Sequence, residues 1–249
     1  MKKIFNIFIF FILHIYSKEI VIFVQPFKIF TFINDEYFPA IQNNKLIGLN
    51  KITQNSLCKN GYKEVFLRFI EQYNIYFKNN NTSFFTFNHI GSIFPFRLKN
   101  NSSKKLLNAI IKYKNDNPND KIILIGYSHG GNVVLNMANL LIKHNLKIDL
   151  VLLLGTPINT SSNKNTFAKL VNGNYVFSNI INIYSLADYL QKIEIWSNNF
   201  KFYQKELQPR ESLINYPIND FGHVNLWYKV WRFDPFILQV PKILSKFAH

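Results

Sequence analysis

Residues 122–134 read Ile122-Ile123-Leu124-Ile125-Gly126-Tyr127-Ser128-His129-Gly130-Gly131-Asn132-Val133-Val134. Four consecutive apolar residues, three of them β-branched, predict a strand buried on both faces. Apolar spacing resumes at Val133 and continues to His144, which predicts a helix. Between the two stands Gly-x-Ser-x-Gly, where a strand must turn into a helix within a few residues. So tight a turn forces Ser128 into a strained backbone conformation. Side chains two residues before and after it would collide, which accounts for glycine at 126 and 130. Ser128 then stands at the head of a helix, where N–H groups and the helix dipole favour developing negative charge. An ordinary glycine-rich turn or a phosphate-binding turn is the competing reading. No Gly-Lys-Ser/Thr follows, and no Gly-x-Gly-x-x-Gly occurs.

Working outward, residues 20–24, 84–87 and 150–154 are short, largely apolar runs that predict further strands, and 179–184 and 213–218 read as two more. Residues 61–76 carry apolar side chains at helical spacing. A second helix is expected from a cap at Ser102 or Ser103 to about Tyr113, burying Leu106, Leu107, Ile110 and Ile111. Trp227, Val230 and Trp231 share helical spacing in the closing stretch, whereas residues 25–60 show little periodicity. Continuous apolar strands alternating with amphipathic helices predict an α/β fold, its sheet parallel and covered on both faces. No linker rich in Pro, Gly or Ser divides residues 18–249, so they read as one domain.

The stretch Gly126-Tyr127-Ser128-His129-Gly130-Gly131-Asn132-Val133-Val134 resembles the nucleophile elbow of bacterial serine esterases and lipases of the α/β-hydrolase superfamily. Their elbow reads Gly-His/Tyr-Ser-His-Gly-Gly-Asn, and the resemblance runs from about residue 20 to 235. It implies an α/β-hydrolase fold with a mostly parallel central sheet and helices on both faces, no cofactor, and a triad in the chain order Ser, Asp/Glu, His. Asp188 follows a predicted strand in Tyr184-Ser185-Leu186-Ala187-Asp188-Tyr189-Leu190-Gln191, similar to the relatives' Tyr-Ser-x-x-Asp-x-Val/Leu-Gln. Glu194 and Asp220 are rival acids. Asp149 opens a strand, which puts it at the wrong edge of the sheet. Among six histidines, His223 alone follows the last strand in the right order. His14 and His249 lie near the ends, His144 closes a helix, His89 precedes the serine, and His129 belongs to the elbow.

These residues define roles. His223 takes the proton of Ser128 Oγ, and Asp188 orients the imidazole and stabilises the imidazolium. The backbone N–H of His129, next after the nucleophile, supplies one oxyanion donor. A second donor comes in such enzymes from the loop after an earlier strand, often at a His-Gly pair. Gln25-Pro26-Phe27 stands in one candidate position, where proline removes an N–H and leaves that of Phe27. Gly48-Leu49-Asn50 is the other candidate, with Asn50 as donor. His89-Ile90-Gly91 matches an aromatic-x-Gly pair near the site. Leu154-Gly155-Thr156-Pro157 resembles a turn common in lipases, and it supports the register without adding chemistry. Residues 158–178 are polar and form either a lid or a solvated loop.

Composition narrows the remaining classes. Aromatics at 16% exclude disorder, one cysteine excludes a disulfide scaffold, and no apolar run reaches 18 residues, which argues against a polytopic membrane protein. The formal charge of +15 suggests an anionic partner, yet Arg is rare, the lysines are scattered, and Asn, Ile, Lys and Phe together dominate as AT-rich codons would dictate. No nucleic-acid partner is therefore expected. No metal is expected either, because His-Glu-x-x-His, Cys-x-x-Cys and clustered carboxylates are missing. Met1-Lys2-Lys3 and the apolar run Ile4–Ile15, followed by Ser17, have the form of a signal peptide or N-terminal membrane anchor over residues 1–17; an N-terminal core strand is the alternative. Export to the periplasm or medium, or membrane association through that segment, follows from the first reading, and a cytoplasmic location from the second. The expected function is a serine hydrolase cleaving small-molecule or lipid esters. A non-catalytic binding protein of the same fold and an acyltransferase using the same triad are the alternatives.

Overall fold

The computed structural model describes residues 18–24, 48–52, 62–77, 81–88, 95–158, 164, 166–188, 205–219 and 236–246. In chain order its elements are β1 (Glu19–Val24), β2 (Gly48–Lys51), α1 (Tyr62–Phe77), β3 (Thr82–Asn88), α2 (Pro95–Asp116), β4 (Lys121–Tyr127), α3 (His129–Leu135), α4 (Ala138–Lys143), β5 (Ile148–Leu154), β6 (Phe177–Ser185) and β7 (Leu213–Ile218). A 3-10 turn (Phe236–Gln239) then leads into α5 (Val240–Ser245). The strands form one sheet in the order β2-β3-β1-β4-β5-β6-β7. Every pairing is parallel except β2 with β3.

Alternation along each strand divides the core in two. Ile20, Ile22 and Val24 of β1, with Ile122 and Leu124 of β4, pack with Leu106, Leu107 and Ile110 of α2 and with Val133, Val134 and Leu141 of α3 and α4. Val21 and Phe23 of β1, with Ile123, Ile125 and Tyr127 of β4, pack with Phe69 and Tyr73 of α1 and with Phe236, Ile237, Val240 and Leu244. Both faces of β4 are thus buried, which is why its sequence runs apolar without alternation. Each such Ile or Leu side chain contributes roughly 1.5–3 kcal/mol by leaving water.

The predicted strands are all present, with ends moved by one or two residues. Two helices depart from expectation. Ser102 and Ser103 cap nothing: both lie inside α2, which begins at Pro95, and both are buried. Proline suits a first turn, where its missing N–H would have no helical partner. Ser103 Oγ instead donates to Val133 O at 2.8 Å, joining α2 to α3. The helix expected from Val133 to His144 is two helices, and the first starts at His129, directly after the serine. At the junction Met137 N bonds Val134 O at 3.0 Å, a three-residue step that tightens the coil before α4. Strand β2 and the segment Phe236–Ser245 had no clear signal, and Trp227 to Trp231 lie outside the described residues.

Between β5 and β6, residues 166–176 fold back on the core. Lys169 pairs with Tyr175 in a small hairpin, and Leu170 and Val176 are buried against the α2 face of the sheet. At the far edge, β7 carries Pro217 opposite Tyr184 of β6.

Candidate active site

The elbow forms at the carboxyl end of β4. Ser128 has φ 52° and ψ −129°, close to the first central position of a type II′ turn, which glycine ordinarily takes. Two hydrogen bonds hold it there. Its N–H donates to Leu154 O of β5 at 2.9 Å, and its carbonyl accepts from Gly131 N–H at 3.0 Å, closing the first turn of α3. His129 is the first residue of α3, so its N–H precedes the i−4 bonds of the helix.

The glycines explain how the chain passes through this turn. A Cβ at Gly126 would lie 2.6 Å from Gly131 Cα and 3.2 Å from the Gly130 carbonyl carbon. The strand end and the first turn of the helix therefore touch backbone to backbone. A Cβ at Gly131 would lie 2.0 Å from Thr156 Oγ1. Close approach thus falls on Gly131, which the motif alone does not single out. Thr156 is fully buried. Beside it, Asn132 Nδ2 donates to Pro157 O at 2.8 Å. The Leu154-Gly155-Thr156-Pro157 turn, expected only to mark the register, is the surface on which the elbow helix rests.

Asp188 lies three residues beyond the end of β6 and is buried. Its N–H donates to Ser185 O at 3.2 Å, while the N–H of Ala187 reaches Ser185 Oγ at 3.2 Å. Leu186 N–H donates to Ile218 O at 2.9 Å, so the turn stays joined to β7. Leu186 and Ala187 are exposed, and the chain returns inward at Asp188. Ser128 and Asp188 thus follow the carboxyl ends of β4 and β6, with only β5 between them. Two strand spacings, about 10 Å, separate those strands. Asp149 is at the opposite edge, where its Oδ2 accepts from Ile122 N–H at 2.8 Å.

A polar network lies under β6 and β7. Asn182, fully buried, donates through Nδ2 to Asn215 Oδ1 and to Lys205 O, each at 2.9 Å. Asn215 also holds Leu207, accepting from its N–H at 3.1 Å and donating to its carbonyl at 2.8 Å. Tyr184 OH donates to Glu206 Oε1. Burial, aided by this bond, pushes the Tyr184 hydroxyl up to about 12.

For the second oxyanion donor, Val24 at the end of β1 is in register with Gly126. The chain therefore leaves β1 beside the elbow. Asn50 is paired with Thr86 in the antiparallel β2–β3 ladder. With β3 and β1 between β2 and β4, it stands about 14 Å from the elbow strand. His223, Phe27, His89, Glu194 and Asp220 lie outside the described residues. Among the described residues no three His, Cys, Asp or Glu gather as metal ligands, and no helix is long and apolar enough to cross a membrane.

Six parallel strands, an antiparallel edge strand and a strained serine between β4 and α3 make this an α/β-hydrolase fold. The cutinase family model matches residues 82–193, which run from β3 past Asp188. An esterase of Pyrococcus furiosus superposes with a TM-score of 0.50 at 13% identity, covering 94% of this chain and 83% of that one. The esterase domain of a Rhodothermus marinus protein gives 0.44 at 12% identity, over 73% and 79%. An alpha-beta serine hydrolase homologue from Coxiella burnetii gives 0.42 at 12%, over 73% and 76%. No curated protein matches the sequence.

Proposed function

We propose that this chain is a serine hydrolase of carboxylic esters, an esterase or lipase working through an acyl-enzyme. The observation that carries the reading is Ser128 held at φ 52° at the head of α3, with backbone on one side and β5 on the other. Strain of this kind costs of order 1–3 kcal/mol and is kept where it presents a reacting atom. In the proposed reaction His223 accepts the Ser128 Oγ proton as the oxygen attacks the ester carbonyl. The tetrahedral oxyanion is held by the N–H groups of His129 and Phe27. Collapse expels the alcohol, which takes its proton from His223, and water then repeats the sequence to free the acid. Asp188 keeps the imidazole in the required tautomer. Its burial after β6, and the place of residue 223 shortly after β7, support these assignments. The cutinase match over residues 82–193 supports the ester class. The substrate is a small-molecule or lipid ester.

The decisive experiment is hydrolysis of p-nitrophenyl esters of graded chain length by the wild type and Ser128→Ala, with fluorophosphonate labelling alongside. Wild-type turnover should fall by several orders of magnitude in the variant while the fold survives. A wild type that neither hydrolyses nor labels would be a binding protein of this fold. Preferential acyl transfer to added alcohols in water would make it an acyltransferase.

The reading extends to residues 1–17 as a signal or anchor. Lys18 N–H already donates to Asp120 Oδ1 at 3.1 Å, and Lys18 O accepts from Lys121 N–H at 2.9 Å. A cut after Ser17 would leave β1 whole and place the new ammonium against that carboxylate. N-terminal sequencing of protein from its native host should find a start near Lys18, or the chain in the membrane fraction. Free cytoplasmic protein retaining Met1 would overturn this.

A further inference from the structure

Lys205 is buried, 8% exposed, although it is a lysine. Burying an ammonium is costly unless acceptors replace water. Here Lys205 Nζ donates to Ser185 O and, at 3.1 Å, to Leu186 O. These carbonyls belong to the turn that delivers Asp188. Ser185 O also accepts the N–H of Asp188 at 3.2 Å. The ammonium and the Asp188 backbone nitrogen thus share one oxygen, which sets them within about 6 Å of each other. The lysine cannot withdraw easily, because its own backbone is fastened: its carbonyl takes Asn182 Nδ2, and the next two residues are held by Tyr184 and Asn215.

We propose that Lys205 is a positioning residue for the acid arm of the site: its buried ammonium fixes the 185–188 turn and sets the charge around Asp188. The inference rests on Asp188 being the triad acid. The charged groups gathered there, among the described residues, are Asp188 on the turn after β6, and Lys205 and Glu206 on the segment lying across β6 and β7. Glu206 is engaged by the Tyr184 hydroxyl. The ammonium offsets part of the attraction between the carboxylate and an imidazolium at His223. It therefore favours the neutral imidazole, the form that accepts the serine proton.

Three variants separate holding from charge. Lys205→Gln keeps an N–H donor and removes the charge, Lys205→Arg keeps the charge, and Lys205→Met removes both. Lys205→Gln should move the acid limb of the kcat/KM profile upward by about half to one pH unit. Lys205→Met should show the same shift and lose about 10–100-fold in kcat with little change in KM, as the carboxylate drifts from its place. Lys205→Arg should restore the profile and most of the rate. Thermal melts accompany each; if Lys205→Met does not fold, the Gln–Arg pair decides. The same comparison is made without turnover by following the His223 imidazole titration by NMR in Ser128→Ala protein. An imidazole midpoint that rises in Lys205→Gln supports the inference even if the wild type hydrolyses no ester, in which case only the esterase reading fails. A midpoint and a kcat/KM profile both unmoved by Lys205→Gln overturn it.

Discussion

Gly126 and Gly131 meet across the elbow so closely that a Cβ on the first would stand 2.6 Å from the Cα of the second. Gly131 in turn faces Thr156, whose Cγ2 and Cβ lie 2.7 and 2.9 Å from a Cβ there. The two glycines therefore fail differently. Gly131→Ala meets a side chain and should cost roughly 1–3 kcal/mol. Thr156→Ala in the same chain removes the two nearest atoms and should recover part of that loss. Gly126→Ala meets backbone, so no side-chain truncation should rescue it. Urea denaturation of the single and double variants checks the contrast.

Ser128 carries a separate stability cost. At φ 52° an alanine is as strained as the serine, whereas glycine is at ease. Ser128→Gly and Ser128→Ala should both be inactive, and the glycine variant should be more stable by about 1 kcal/mol. Equal melting temperatures would mean that the turn relaxes when the hydroxyl is lost.

The oxyanion loop gives a ranking. Phe27→Pro removes the N–H proposed as donor and should lower kcat by about 10²–10³. Asn50→Pro alters an edge strand three strands from β4 and should have a much smaller effect on rate. Matched melts separate rate from folding. The reverse order would place the donor at Gly48–Asn50.

Alkaline stability should respond to Tyr184. Its hydroxyl is raised by burial, and by Glu206, from 10.0 to about 12. Below pH 10 the folded and unfolded chains both keep this proton, and its contribution is complete. Between pH 10 and 12 the unfolded chain releases it first, so stability falls as pH rises. Tyr184→Phe should make that part of the pH dependence shallower, measured by denaturant midpoints from pH 8 to 12. Tyr73 and Tyr113, raised further by burial and by Glu19 and Asp120, share that decline from pH 10 and carry it beyond pH 12.

Much of the fold was legible because its central strands are buried on both sides. Ile122–Ile125 and Leu150–Leu154 leave no other economical reading, and the glycine-flanked serine joins one of them to a helix. Other features escaped for identifiable reasons. Ser103 looked like a cap because serine favours helix starts, but its hydroxyl serves a neighbouring helix, a tertiary contact invisible to local pattern. Strand β2 is four residues at an edge, too short to show a period. The clash between Gly131 and Thr156 links residues 25 apart, although Gly130-Gly131 and Gly155-Thr156-Pro157 were both conspicuous. Lys205 could not be found at all, since one lysine among 25 carries no sign of burial until the chain is folded.

The far edge of the sheet bears on how densely such molecules can be held. Ile180 N–H bonds Ser212 O and Leu186 N–H bonds Ile218 O, so the even-numbered residues of β7 face β6. The odd ones, Leu213, Asn215 and Pro217, turn their backbone outward. Leu213 already gives its N–H to Arg210 O, and Pro217 has none to give. A strand from another copy would find two of three outward positions without a donor. This edge therefore resists the sheet-to-sheet recruitment that starts aggregation, a useful property for a chain so rich in β-branched and aromatic residues.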